Sequence, residues 1–163
     1  MLKPLSRTLS AVAIACLAGC SGIAPNLPGI SLGATVHGQV NGVSGSNLRV
    51  GLLGSKEAGQ TPQELVSAPV TGGAYSLDLP GSPRLDLMSS DSESIPFALE
   101  VYQDNNGDGQ YDEGDTITQA SAANGTFRFF TEDGPPGSYK AGWNLYQNGS
   151  YTQTFDTAVN LTA

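Results

Sequence analysis

The chain has 163 residues, with 15 Asp and Glu against 7 Lys and Arg, and a formal net charge of −8. Beyond the first few residues its cations, Arg49, Lys56, Arg84, Arg128 and Lys140, are scattered. That excludes a nucleic-acid interface, because neutralising phosphates takes grouped basic side chains.

The N-terminus reads as a processing segment. Met1-Leu2-Lys3-Pro4-Leu5-Ser6-Arg7 is a short basic stretch, and Leu9 to Ala18 is apolar but too short to span a bilayer. Leu17-Ala18-Gly19-Cys20 follows and resembles a bacterial lipobox. The resemblance implies a lipoprotein signal over 1–19, cleaved before Cys20, whose thiol is then diacylated. Two acyl chains suffice for stable anchoring, since each buried methylene contributes about 0.8 kcal/mol. The expected location is the cell envelope, on a membrane and facing the periplasm or the exterior. Loss of Lys3 and Arg7 with the signal takes the net charge from −8 to −10. Cys16 leaves with the signal and Cys20 is acylated, so no thiol remains for a disulfide, a metal or a nucleophile. Residues 20–32, with Pro25, Pro28 and Gly29, read as the lipidated cysteine and a tether. Residues 33–163, about 130 in number, suit one domain with a single core.

From Gly33 onwards apolar residues recur with period two. Ala34, Val36, Gly38 and Val40 alternate with Thr35, His37, Gln39 and Asn41. Further runs are Leu48 to Leu52, Tyr75 to Leu79, Phe97 to Tyr102, Phe127 to Phe129, Tyr139 to Tyr146 and Phe155 to Leu161. Such alternation marks half-buried strands. Asn41-Gly42, Gly72-Gly73, Asn124-Gly125, Asp133 to Gly137 and Asn148-Gly149 supply the turns between them. Ser55 to Ser67 is a polar crossing with one helical turn at Pro62-Gln63-Glu64-Leu65, and Leu85 to Glu93 is a second crossing. About seven or eight short strands with this punctuation predict an all-β, antiparallel Greek-key sandwich.

One stretch stands apart, Asp104-Asn105-Asn106-Gly107-Asp108-Gly109-Gln110-Tyr111-Asp112-Glu113-Gly114-Asp115. Side-chain oxygens fall at loop positions one, three, five, nine and twelve, on Asp104, Asn106, Asp108, Asp112 and Asp115, and Gly109 occupies the turn at position six. A hard cation takes six to eight oxygens, and the backbone carbonyl at position seven, here Gln110, is one of them. The pattern predicts a Ca²⁺ loop with a structural role. Asp115 is shorter than the usual Glu at position twelve, and Glu113 is a spare carboxylate. The same residue types also make ordinary solvated turns.

The loop resembles that of dockerin modules, D-x-N-x-D-G-x-x-[ND]-x-x-D, at every specified position. Dockerins carry two loops, each followed by an amphipathic helix, and Thr116 to Phe130 shows no helical stripe. It also resembles the loops of B-type repeats in Gram-positive surface adhesins, D-x-N-x-D-G-x-x-D-x-G-[ED], which sit between strands; Gly114 matches as well. Gly38-Gln39-Val40-Asn41-Gly42, Arg49 to Gly54 and Pro69 to Pro80, with Gly73-Ala74-Tyr75-Ser76-Leu77-Asp78-Leu79-Pro80, resemble transthyretin-like, carboxypeptidase-regulatory domains. That resemblance implies a prealbumin-like sandwich and a non-catalytic role.

Catalytic chemistry finds little support in the sequence. His37 is the only histidine, on the wet face of its strand, and no G-x-S-x-G elbow accompanies it. One histidine without a free thiol does not make a zinc site. Trp143 is expected in the core, and Tyr146 and Tyr151 are expected as a cross-strand pair flanking Asn148-Gly149. The expected function is a lipid-anchored envelope protein, not an enzyme, with a calcium-stabilised sandwich in a structural or binding role towards an envelope protein or glycan. The alternative is a calcium-stabilised carbohydrate-binding module using exposed aromatics. An envelope hydrolase built on an acidic pair comes third.

Overall fold

The structure is a computed structural model that describes residues 33–118 and 125–162. The signal segment, Cys20 and the tether lie outside the described residues, as does Asn124 of the expected Asn124-Gly125 turn. The chain folds as an all-β sandwich, as its periodicity predicts. Its strands are β1 (Ala34–Asn41), β2 (Leu48–Gly54), β3 (Gln63–Pro69), β4 (Ala74–Leu79), β5 (Phe97–Gln103), β6 (Thr116–Thr118), β7 (Thr126–Phe130), β8 (Gly142–Gln147), β9 (Ser150–Gln153), β10 (Asp156–Ala158) and β11 (Leu161–Thr162).

The larger sheet runs β3-β2-β5-β7-β8-β9, with β6 also on β5, and all its pairings are antiparallel. The smaller sheet centres on β1, which pairs antiparallel with β4 on one side and parallel with β10 and β11 on the other. The parallel joint between the first and last strands departs from the wholly antiparallel expectation.

The facing sides of the two sheets meet in one core. Val36 and Val40 of β1, Leu77 and Leu79 of β4, and Leu161 of β11 face Val50, Leu52, Phe97, Leu99, Val101, Phe127 and Leu145. Trp143 is 1% exposed, as expected for a core residue. It meets Phe97 and Phe129 edge-on at centroid distances of 5.9 and 5.5 Å. Its indole N–H donates to the Pro80 carbonyl at 2.7 Å, which ties the larger sheet to the end of β4.

Three stretches differ from the sequence expectation. The expected helical turn at Pro62 to Leu65 is absent: Gln63 to Leu65 instead start β3, extended because β2 supplies its backbone partners. Tyr139 and Ala141 precede β8, and the Tyr139 ring stacks on Phe130 at 3.7 Å between centroids. Phe155 precedes β10 and is 58% exposed, whereas Val159 and Leu161 are buried.

Gly38 fixes how closely the smaller sheet can pack. A Cβ at this position would lie 1.9 Å from the Val159 carbonyl oxygen, a backbone atom that cannot swing aside. The same carbonyl accepts the Tyr75 hydroxyl at 2.8 Å, and Val159 N–H donates to the His37 carbonyl at 2.8 Å. Gly38→Ala is therefore expected to lower the urea midpoint with an unchanged m-value, a loss of about 1–3 kcal/mol from overpacking.

Candidate metal centre

The acidic stretch closes a hairpin between β5 and β6. Gln103 and Thr116 are paired residues, so residues 104–115 leave and re-enter the sheet at adjacent points. A strand, not a helix, follows the loop.

Within the loop, side-chain oxygens serve backbone amides. Asp104 is 4% exposed; its Oδ1 accepts Gly107 N–H at 2.6 Å and its Oδ2 accepts Gly109 N–H at 2.9 Å. Both glycines have positive φ, 76° and 84°, which presents their N–H groups inward at little steric cost. Asn106 Oδ1 accepts Asp108 N–H at 2.9 Å, and Asp108 Oδ1 accepts Gln110 N–H at 2.8 Å. Asp112 Oδ1 accepts Gly114 N–H at 2.8 Å. Asp115 accepts Asn105 N–H at 2.8 Å and Asp112 N–H at 3.1 Å, one on each oxygen, so the last loop position grips the second and the ninth.

The sequence-assigned residues therefore share one compact loop, but their carboxylates do not gather. Among the described residues no three His, Cys, Asp or Glu side chains stand together as a ligand group. Across the middle, Asn106 Nδ2 donates to Asp112 Oδ2 at 2.6 Å. The side chains at positions three and nine thus bond directly to each other. Which end of the Asn106 amide carries oxygen follows from the hydrogen-bond network. Asp108 and Glu113 are exposed, and Asp112 and Asp115 are half-buried.

A second group of residues, distant in the chain, seats the loop on the outer face of the larger sheet. Glu64 Oε2 on β3 accepts both Tyr111 N–H at 3.0 Å and the Tyr102 hydroxyl at 2.7 Å. Ser67 Oγ donates to the Gly109 carbonyl at 3.1 Å and accepts from Arg49 Nη2 at 3.1 Å. Tyr111 packs edge-on against Tyr102 at 5.3 Å between ring centroids, and Tyr102 is fully buried. Asp104 N–H donates to the Asn47 carbonyl at 3.1 Å. The bonds from Glu64 and Ser67 to Tyr102, Gly109 and Tyr111 span 38 to 47 residues of chain, so no local pattern announces them.

Other residues noted in the sequence lie elsewhere. His37 Nδ1 is 3.2 Å from Asp156, on the surface of the smaller sheet. Tyr146 and Tyr151 are directly paired across β8 and β9 with centroids 4.8 Å apart, as expected. Asn148 and Gly149 both have positive φ in the turn between them.

Comparison of the chain with protein-family models, with curated proteins and with solved structures finds no match.

Burial sets the alkaline behaviour of this region. It raises the phenol pKa of Tyr102 above its ordinary value, and it does the same for Tyr75. The folded chain therefore keeps protons that the unfolded chain releases at about pH 10. Stability from these phenols is present below about pH 10 and is lost as pH rises above it. Denaturant unfolding at stepped alkaline pH is expected to show this fall, and Tyr102→Phe is expected to make it shallower.

Proposed function

We propose that this chain is a lipid-anchored cell-envelope protein whose β-sandwich is stabilised by one calcium ion and serves a non-catalytic, structural or binding role. The observation that carries the reading is that the loop with calcium-ligand spacing closes a hairpin between paired strands and is seated on the sheet beside it. Asp104, Asn106, Asp108, Asp112 and Asp115, with the Gln110 carbonyl, are the proposed ligands. The ion replaces the Asn106–Asp112 contact and offsets the repulsion among the four carboxylates. Its free energy of binding adds to folding because the unfolded chain has no such site.

The lipobox residues support Cys20 as the anchor. A tether over 20–32 reaches at most about 45 Å when fully extended. It joins the domain at Gly33, where a Cβ would lie 2.7 Å from the Leu79 carbonyl oxygen. That is the opposite end of the sandwich from the β5–β6 loop, because Ala34 pairs with Leu79 at one end whereas Leu48 pairs with Gln103 at the other. The prealbumin-like assignment of the sandwich belongs to this proposal as well, supported by the division of β1 and β4 from β2, β3 and β5 between the two sheets.

Scanning calorimetry of the full chain in calcium and in chelator tests the metal. At a free concentration one hundred times Kd, calcium contributes about 2.7 kcal/mol. The expected rise in Tm is roughly 10 °C for a domain of this size. Equal melting temperatures count against the site.

One observation favours a second reading, carbohydrate binding. Tyr146 is 41% exposed on the outer face, beside the half-buried Tyr151. The neighbouring Tyr139 has already given a ring face to Phe130, which leaves Tyr146 as the main stacking surface. Glycan-array binding that Tyr146→Ala abolishes is the outcome that would favour this reading over a purely structural role.

A further inference from the structure

We infer that the arm formed by β10 and β11 is exchanged between two molecules, so that the partner of this domain is a second copy of the same chain. The inference needs neither the metal nor the lipid anchor. The arm leaves the larger sheet at the end of β9 and crosses to the smaller one, where its attachments are to β1 and β4. Asp156 to Ala158 pair in parallel with Thr35 to His37, and Leu161 and Thr162 pair with Val40 and Asn41. Asn160 Oδ1 accepts Gln39 N–H at 3.0 Å, and the Tyr75 hydroxyl donates to the Val159 carbonyl at 2.8 Å. Val159 and Leu161 are both buried in the inter-sheet core. An identical arm from a second copy meets this groove with the same contacts, which is what makes strand exchange a low-cost route to a dimer.

The hinge is where the closed form is short of partners. Thr154 N–H donates to the Trp143 carbonyl at 2.7 Å and so still belongs to the larger sheet. The Phe155 carbonyl accepts Thr35 N–H at 2.8 Å and so already belongs to the smaller. The crossing is therefore a single peptide link, with no loop residue to absorb the corner. Thr154 is buried, and its hydroxyl has no hydrogen-bond partner among the described residues. A buried hydroxyl left unpaired is destabilising. Phe155 is the most exposed aromatic side chain among the described residues. Straightening the link relieves both: the Thr154 hydroxyl reaches water, and the two hinges of an exchanged pair lie side by side across the two-fold axis, where each Phe155 covers the other. Short hinges under strain invite exchange for this reason. The remaining contacts of the arm are common to the closed and exchanged forms, so these two side chains and the protein concentration set the balance.

Refolding of the full chain from urea at stepped protein concentrations, followed by sedimentation, tests this. A dimer is expected to appear as concentration rises and to persist on dilution, because return to the monomer requires the arm to detach. His37→Cys combined with Ala158→Cys places two thiols at a paired position of β1 and β10. After oxidation this variant is expected to run as a covalent dimer on a denaturing gel, with the parent and each single variant beside it as controls for Cys16 and Cys20. A dimer that runs as a monomer with its new thiols consumed overturns the exchange, as does a parent that stays monomeric at every concentration. Thr154→Val removes the unpaired hydroxyl and is expected to raise the dimer dissociation constant about 5-fold or more. If the cysteine pair does not fold, two glycines inserted between Thr154 and Phe155 carry the test. They relax the corner and are expected to leave a monomer; a dimer that survives the insertion unchanged is a surface contact and overturns the inference.

Discussion

The carboxylate of Asp104 is the constraint around which one end of the molecule is built. An ionised group that is almost wholly buried is tolerated only if its oxygens are satisfied. Here both are, by Gly107 and Gly109 N–H at 2.6 and 2.9 Å. Those amides reach it because each glycine adopts a left-handed φ that another residue would resist. The turn and the charge therefore depend on each other. Asp115 does the same for the second half of the loop with Asn105 and Asp112 N–H. The four carboxylates still lie within twelve residues, and hydrogen bonds to amides reduce their repulsion without cancelling their charge.

The loop also changes the sheet beneath it. An antiparallel sheet in a sandwich commonly has one dry and one wet face. The outer face of the larger sheet nevertheless buries Leu53, Tyr102 and Phe130 to 3%, 0% and 3% exposure. None of these belongs to the inter-sheet core. Tyr102 is covered by Tyr111 of the loop, and Phe130 is covered by Tyr139 and Tyr151. Glu100, on this same face, has its carboxyl pKa raised by burial. The loop is thus held by apolar contact as well as by Glu64 and Ser67.

What could be read in advance divides along sequence distance. β1, β2, β4 and β5 were legible because strict alternation needs only neighbours along the chain. The acidic loop was legible for the same reason, since its ligand spacing and its glycines are local. β3 was not: its start is exposed at Gln63 and half-buried at Glu64 and Leu65, with no alternation to mark it, and its extended form is fixed by pairing with β2. The alternation through Tyr139 was real but misleading, because Tyr139 packs on a ring and not in a ladder. The parallel joint of β1 with β10 and β11 depends on Gly38, whose need for a missing Cβ is visible only once Val159 lies beside it. Glu64 is the sharpest case. In sequence it is one acid in a polar crossing; in space it meets a tyrosine and a loop amide from two other parts of the chain.

These placements give the domain a direction. Gly33 and the end of β4 lie at one end, and the end of β5, the acidic loop and the Asn148-Gly149 turn lie at the other. The acidic loop and the residue at which the described chain begins are therefore held apart by the length of the strands between them. This polarity follows from strand order: the first strand starts where the fourth ends, and the hairpin that carries the loop turns at the opposite end.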